Sequence, residues 1–229
     1  NAATTGDITL SVTNGALSGN AADLVLAFAG NVTTHTGQVT ISDVPNVTQL
    51  KTINNATSGN IVLSSAGQAY SGNAADLAVA FAGTTNHSGA ITINDAPNVA
   101  QLKTINAGTT GDITLGVTNG ALSGNAADLV LAFAGNVTEH TGTVTISDAP
   151  NVAQLKTINA ATTGDITLGV TNGALSGNAA DLVLAFAGTV TEHTGTVTIS
   201  DAPNVAQLKT INAATTGDIT LSVTNGALS

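Results

Sequence analysis

The sequence predicts a repeat solenoid of α/β type: a β-solenoid-like stack of short parallel strands with short helices, about 53 residues per repeat and two coils per repeat. Three observations point there. The phrase NAATTGDITL opens at Asn1, and its equivalents open at Asn54, Asn106, Asn159 and Asn212, at spacings of 53, 52, 53 and 53 residues. Each unit alternates short period-2 apolar runs with segments whose apolar residues fall at helical intervals. Cap and stop residues stand at the edges of those segments. A unit of this size cannot bury its apolar face alone, whereas stacked neighbours make a continuous core. The chain is therefore read as one continuous solenoid segment, 1–229, with repeats 1–53, 54–105, 106–158 and 159–211 and a partial repeat 212–229.

The third repeat and its continuation serve to justify the elements in order. The first strand is centred on Val144 and Ile146, which point one way while Thr143 and Thr145 point the other. The stretch SDAPNVAQLKTINAATTG follows. Asp148 can N-cap a helix, Pro150 suits its first turn, and Asn151 with Gln154 has capping-box spacing. Val152, Leu155 and Ile158 then recur at helical intervals, and Gly164 lies beyond a two-threonine stop. Ile166 and Leu168, flanked by Asp165 and Thr167, form the second strand. In the other half of the unit, NGALSGNAADLVLAFAG offers Asn-Gly as a turn, Ser123 or Asn125 as a cap and Gly135 as a stop. LVLAFA can be read as helix or strand, because its counterpart alternates Leu77, Val79 and Phe81 with alanines; the caps and alanine content favour helix.

Units 106–158 and 159–211 differ only at Gly108/Ala161 and Asn136/Thr189. Such identity reads as recent duplication, so recurrence of a residue is weak evidence for a role. The copy at 54–105 is more informative. Its missing residue falls in AGTTNHSGAITI, which marks a surface loop. It also has Ser65 for Val117 and Tyr70 for Leu122, which predicts that this strip is not deeply buried.

Composition restricts the partners. Four lysines and no arginine stand against 14 acidic residues, for a net charge of −10. A phosphate-binding surface needs clustered cations, so nucleic acid and anionic membrane surfaces are disfavoured. LVLAFA, the longest apolar run, falls far short of the roughly 18 residues of a spanning helix, so no membrane insertion is expected. Without cysteine there is no disulfide framework or thiolate chemistry. The chain opens without Met and closes on SVTNGALS, which matches residues 11–18; the expectation is a window from a longer repeat protein. At about 4.8 Å per strand a repeat advances roughly 10 Å, giving a rod of about 40 Å with unpaired strand edges at both ends.

Candidate chemistry is sparse. Aspartates at turn edges could coordinate calcium through carboxylate and carbonyl oxygens, and the candidates are Asp43, Asp95, Asp148 and Asp201 after the first strand, with Asp7, Asp112, Asp165 and Asp218 before the second. The competing reading is helix capping, which the absence of any DxDxDG loop or GGxGxDxUx array favours; no other cofactor is expected. His35, His87, His140 and His193 recur once per repeat, too far apart in the stack to share one ion, and are expected as solvated loop residues. Lys51, Lys103, Lys156 and Lys209 are expected on a solvated helix face, offsetting nearby acids. No GxSxG, HExxH, P-loop or GxGxxG pattern is present, and every polar group recurs, whereas an active site needs a singular constellation; no catalytic residue is expected and the chain is not read as an enzyme. The outward threonines of TVT suggest an ice-binding ladder, but DITL and QVT break the array. Sequons at Asn31, Asn86 and Asn136 fit a surface loop.

The phrases TISDAPNVAQLKTINAATTGDITL and LSGNAADLVLAF resemble the tandem repeats of very large bacterial cell-surface and secreted proteins of adhesin-like or matrix type. The resemblance covers the entire chain. It implies an extracellular or cell-surface location and a structural role in a stalk, sheath or filament, with copies of the chain itself, end to end or laterally, as partners. The alternative is a calcium- or ligand-binding surface, ice included, displayed on the repeat scaffold.

Overall fold

Val39 and Ile41 are fully buried while Thr40 between them is half-buried, and this alternation makes a strand three residues long. The same pattern recurs along the chain in the computed structural model, which describes residues 6–223. The opening of the first NAATTG phrase and the end of the partial repeat, residues 1–5 and 224–229, lie outside the described residues. The chain divides into two compact units, Asn1–Val117 with Ala134–Thr138, and Thr118–Phe133 with Glu139–Ser229.

In the first unit the order is β1 (Leu17–Gly19), α1 (Ala21–Ala27), β2 (Val39–Ile41), α2 (Val47–Ala56), β3 (Ile61–Leu63), β4 (Tyr70–Gly72), α3 (Ala74–Phe81), β5 (Ile91–Ile93), α4 (Val99–Ala107) and β6 (Ile113–Leu115). Two parallel three-stranded sheets result, β1-β2-β3 and β4-β5-β6. Leu17 pairs with Val39 and Val39 with Ile61, so a return to the sheet takes 22 residues. Single bridges, Ile61 to Thr84 and Ile113 to Val137, extend each ladder by one more pass. The helices stack in chain order, α1 on α2 on α3 on α4.

The second unit repeats this plan with β7 (Leu122–Gly124), α5 (Ala126–Ala132), β8 (Val144–Ile146), α6 (Val152–Ala160), β9 (Ile166–Leu168), β10 (Leu175–Gly177), α7 (Ala179–Ala185), β11 (Val197–Ile199), α8 (Val205–Ala214) and β12 (Ile219–Leu221). Its sheets are β7-β8-β9 and β10-β11-β12, again parallel. None of the four sheets closes on itself. Val144, Ile146, Leu155 and Ile158 are fully buried between sheet and helix, each contributing about 1.5–3 kcal/mol of apolar transfer.

The capping chemistry follows the sequence with one change of address. Asn151 accepts from Gln154 N and receives the Gln154 side chain on its own N–H, a complete capping box that recurs at Asn46, Asn98 and Asn204. Asp148 was expected to cap this helix. Instead its Oδ1 accepts from Ala126 N at 2.7 Å, the first N–H of the helix one pass earlier. Parallel stacking places that helix N-terminus beside Asp148, whereas Asn151 already serves α6. LVLAFA is helical in every described copy, with Asn125 rather than Ser123 as the cap. Leu122 and Tyr70 are only 2% and 7% exposed, contrary to the expectation of a shallow strip. Both face the core from a third strand, LSG or YSG, that has too few apolar residues to show a period.

The shortened loop of the second repeat is absorbed locally. Gly30, Gly135 and Gly188 end their helices at φ of 75°, 71° and 67°, the left-handed region suited to glycine. In the shortened copy α3 instead runs on through Phe81 and Gly83 is not left-handed. At the corners between passes backbones nearly touch. A Cβ on Gly164 would lie 1.9 Å from Gly142 O, and one on Gly59 would lie 1.8 Å from Gly37 O.

Candidate functional site

The eight candidate aspartates are exposed and each serves its own place in the stack. Asp43, Asp95, Asp148 and Asp201 accept from Ala21, Ala74, Ala126 and Ala179 N at 2.6–2.7 Å. Asp7 and Asp112 accept from the Asn31 and Asn136 side chains at 2.9 and 2.8 Å. Asp165 has no such donor because Thr189 stands where Asn136 does. Asp165 and Asp218 enter the ladder through their carbonyls, accepting from Val144 and Val197 N at 2.9 Å. Among the described residues no three histidine, aspartate or glutamate side chains converge on one point.

The histidines were expected in solvent, and this expectation is overturned. His35, His87, His140 and His193 are 1–2% exposed. Each is held by the passes on either side of it. His140 Nε2 donates to Gly120 O at 2.6 Å, and its Nδ1 lies 3.2 Å from Thr162 Oγ1. Thr162 Oγ1 also accepts from Gly164 N at 3.0 Å and lies 2.9 Å from His140 O. Phe133 covers the ring, with centroids 5.8 Å apart. His35 and His193 repeat this arrangement with Gly15 and Thr57, and with Gly173 and Thr215. A carbonyl can only accept, so Nε2 carries the proton in the neutral ring and Nδ1 accepts from the threonine hydroxyl. The same hydroxyl lies within reach of the histidine's own carbonyl, an alternative acceptor.

His87 differs. Its Nδ1 is 2.8 Å from Thr109 Oγ1, but the alternative acceptors, His87 O and Gly89 O, are 3.5 and 3.4 Å away. Phe81 and Tyr70 flank the ring at 4.9 and 5.3 Å. Burial holds its pKa below the ordinary imidazole value, partly offset by the bond to Gln68 O. The sequence does carry a signal for these clamps. An aromatic residue precedes each histidine by six or seven positions, and Thr-x-Gly follows 22 positions later.

Two of the lysines join consecutive helices. Lys51 pairs with Asp76 and Lys156 with Asp181, each 25 residues on, and these bonds hold both carboxyls below the usual carboxylate range. Asn159 Nδ2 adds donations to Leu184, Ala185 and Ala187 O. The recurring polar residues therefore act as ties between one pass and the next.

One place in the first unit departs from the pattern. Val44, Thr48 and Gln68 stand where other repeats have different residues, and they line an open groove of about 640 Å³ beside Tyr70. The Tyr70 hydroxyl is buried with no hydrogen-bond partner, and burial with the charge of Asp43 raises its pKa. The groove holds no histidine and no cation.

With this geometry in hand, comparison with known families yields one match. The model described as coiled stalk of trimeric autotransporter adhesin matches residues 82–123, 142–176 and 193–227. Each stretch contains the same strand–helix–strand phrase, β5-α4-β6, β8-α6-β9 or β11-α8-β12. Three tandem matches bear out the resemblance to the repeats of cell-surface, adhesin-like proteins. No curated protein and no solved structure matches the chain.

Proposed function

We propose that this chain is a structural stalk segment of a cell-surface adhesin, folded as one continuous solenoid that supplies length and associates with further copies of itself. A single observation carries the reading. Recurring groups that could do chemistry, among them His140, Asp148, Lys156 and Asn159, make bonds between consecutive passes. A repeated tie of this kind builds distance from one pass to the next. The stalk-family match supports the same role and, through it, a cell-surface location and oligomeric state. No helix among the described residues is long and apolar enough to cross a membrane. Catalysis has no place in this reading.

The test is a length series. Extra copies of 106–158 are inserted in tandem, and the longest dimension is measured by small-angle X-ray scattering. A solenoid with two strands per repeat along its axis lengthens by about 10 Å for each copy. A dimension that grows instead as the cube root of chain length would refute the proposal.

A further inference from the structure

We propose that the groove between the start of α2 and β4 is a binding site for a neutral, polyhydroxylated ligand, a mono- or disaccharide, with the Tyr70 hydroxyl as its buried donor. The inference goes beyond the stalk reading and does not depend on it. Four departures from the repeat meet at this place. Val44 stands where the other repeats have Ala96, Ala149 and Ala202, and Thr48 where they have Ala100, Ala153 and Ala206. Gln68 replaces Gly15, Gly120 and Gly173, and Tyr70 replaces Leu17, Leu122 and Leu175. These residues come from two consecutive repeats, yet all four line one groove of about 640 Å³. That size falls within the range of small-molecule pockets, about 300–1,000 Å³.

The substitutions open what the second unit keeps closed. There a Cβ on Gly173 would lie 2.7 Å from Ala149 Cβ, and one on Gly177 would lie 3.2 Å from Val152 Cγ1. Strand and helix start are thus in contact. Gln68 puts a whole side chain where Gly173 has none, and Val44 adds two methyl groups to the position of Ala149. The start of α2 stands off β4 accordingly. A Cβ on Gly72 would meet three atoms of Leu77, at 3.4–3.8 Å, before any of Val47. Val47 is half-buried where Val152 is 6% exposed, and Val44 is 49% exposed.

Tyr70 is fixed in its place. Its ring lies edge-on to Phe81 at 5.4 Å and against His87 at 5.3 Å, and the residue is 7% exposed. Its hydroxyl is buried and has no hydrogen-bond partner among the described residues. A buried O–H in this condition is a donor without an acceptor. Burial, and the charge of Asp43 just before Val44, raise the phenol's pKa, so it keeps its proton at neutral pH. A ligand hydroxyl suits this setting, because it accepts from the phenol and still donates to amide oxygens of the groove. Thr48, Gln49 and Gln68 bring such hydroxyl and amide groups, while Val44, Pro45 and Val47 offer apolar surface to the C–H face of a sugar ring. No lysine or histidine lines the groove and Asp43 adjoins it, so an anion is opposed. No carboxylate lines it either, so an ammonium group has no ion-pair partner in the lining.

The experiment is NMR chemical-shift mapping of the whole isotope-labelled chain, titrated separately with glucose, galactose, N-acetylglucosamine and lactose. At least one sugar is expected to shift the amides of 44–49 and 68–71 in a saturable way, with a Kd no weaker than millimolar. Tyr70→Phe keeps the ring and its packing and is expected to weaken that binding about tenfold. The double variant Val44→Ala with Gln68→Gly rebuilds the closed contact of the second unit and is expected to lose the response. Sodium phosphate and tetramethylammonium chloride, as ionic probes, are expected to leave these amides unmoved. The absence of a saturable response from all four sugars overturns the proposal. So does undiminished binding by Tyr70→Phe or by the double variant, or a response to an ionic probe stronger than that to any sugar. The length-per-repeat test is untouched by each of these outcomes.

Discussion

Thr162→Val replaces a buried hydroxyl by a methyl group of nearly the same size and keeps the β-branch, so packing changes little. What it removes is the oxygen shared by His140 Nδ1 at 3.2 Å and Gly164 N at 3.0 Å. The His140 carbonyl keeps its bond from Thr163 N at 2.9 Å, so two groups lose their partner rather than three. An orphaned buried polar group costs about 1–3 kcal/mol. His140 is 2% exposed and bears the full penalty, whereas half-buried Gly164 N can recruit water. The expected loss is about 2–4 kcal/mol. Thr163→Val, one residue away and exposed, is the control and is expected to cost less than about 0.5 kcal/mol. Urea denaturation followed by circular dichroism reads both, provided the slope with urea is unchanged. Equal effects of the two substitutions would refute the clamp, because solvated threonines would respond alike.

Gly164→Ala places a Cβ 1.9 Å from Gly142 O, against backbone that cannot turn aside; a loss of about 3 kcal/mol or more is expected by thermal melting, and a melting temperature unchanged from wild type would show that the corner is looser than described. For His87, burial lowers the folded pKa, so the unfolded chain binds the proton more readily. Stability is then full above the unfolded value of about 6.5 and falls as the pH drops below it. NMR titration should find His87 below that value, and a midpoint at or above it would contradict the burial argument. The lowered carboxyls of Asp76 and Asp181 act in a separate window: their contribution is present above the ordinary carboxylate value of 3.8 and is lost as pH falls through the folded pKa. Tyr70→Phe removes the unpartnered hydroxyl and is expected to raise stability by about 1 kcal/mol, read as an increase in the urea midpoint; a decrease would mean that the hydroxyl has a water partner.

What was legible in the sequence is what local chemistry determines. Val144, Ile146, Ile166 and Leu168 alternate with threonines, and their strands follow. Asn151 with Gln154 specifies a capping box three residues apart, and it forms. The helical reading of LVLAFA rests on a cap and an alanine-rich interior, and the helix is present. The features that escaped depend on residues about 22 positions apart, which no local window joins. Strand β7 has one large apolar residue and becomes a strand only because Val144 pairs beside Leu122. Asp148 caps a helix that lies one pass earlier in the chain. His140 resembles a loop histidine until Gly120 and Thr162 are brought to its two ring nitrogens. Tyr70 in place of Leu122 suggested tolerance at the surface, yet the larger ring is accommodated in the core against Phe81 at 5.4 Å.

The most direct test of the continuous stack is a pair of spin-label distances. Ser42, Ser147 and Ser200 are exposed and follow equivalent strands, and labels there are read two at a time. On the proposed continuous solenoid, with an advance of about 10 Å per repeat, Ser42 to Ser147 would span two repeats at roughly 20 Å and Ser42 to Ser200 three at roughly 30 Å. Distances in that proportion are the expected result. A Ser42 to Ser200 distance no longer than that from Ser42 to Ser147 would contradict a solenoid that converts repeats into length.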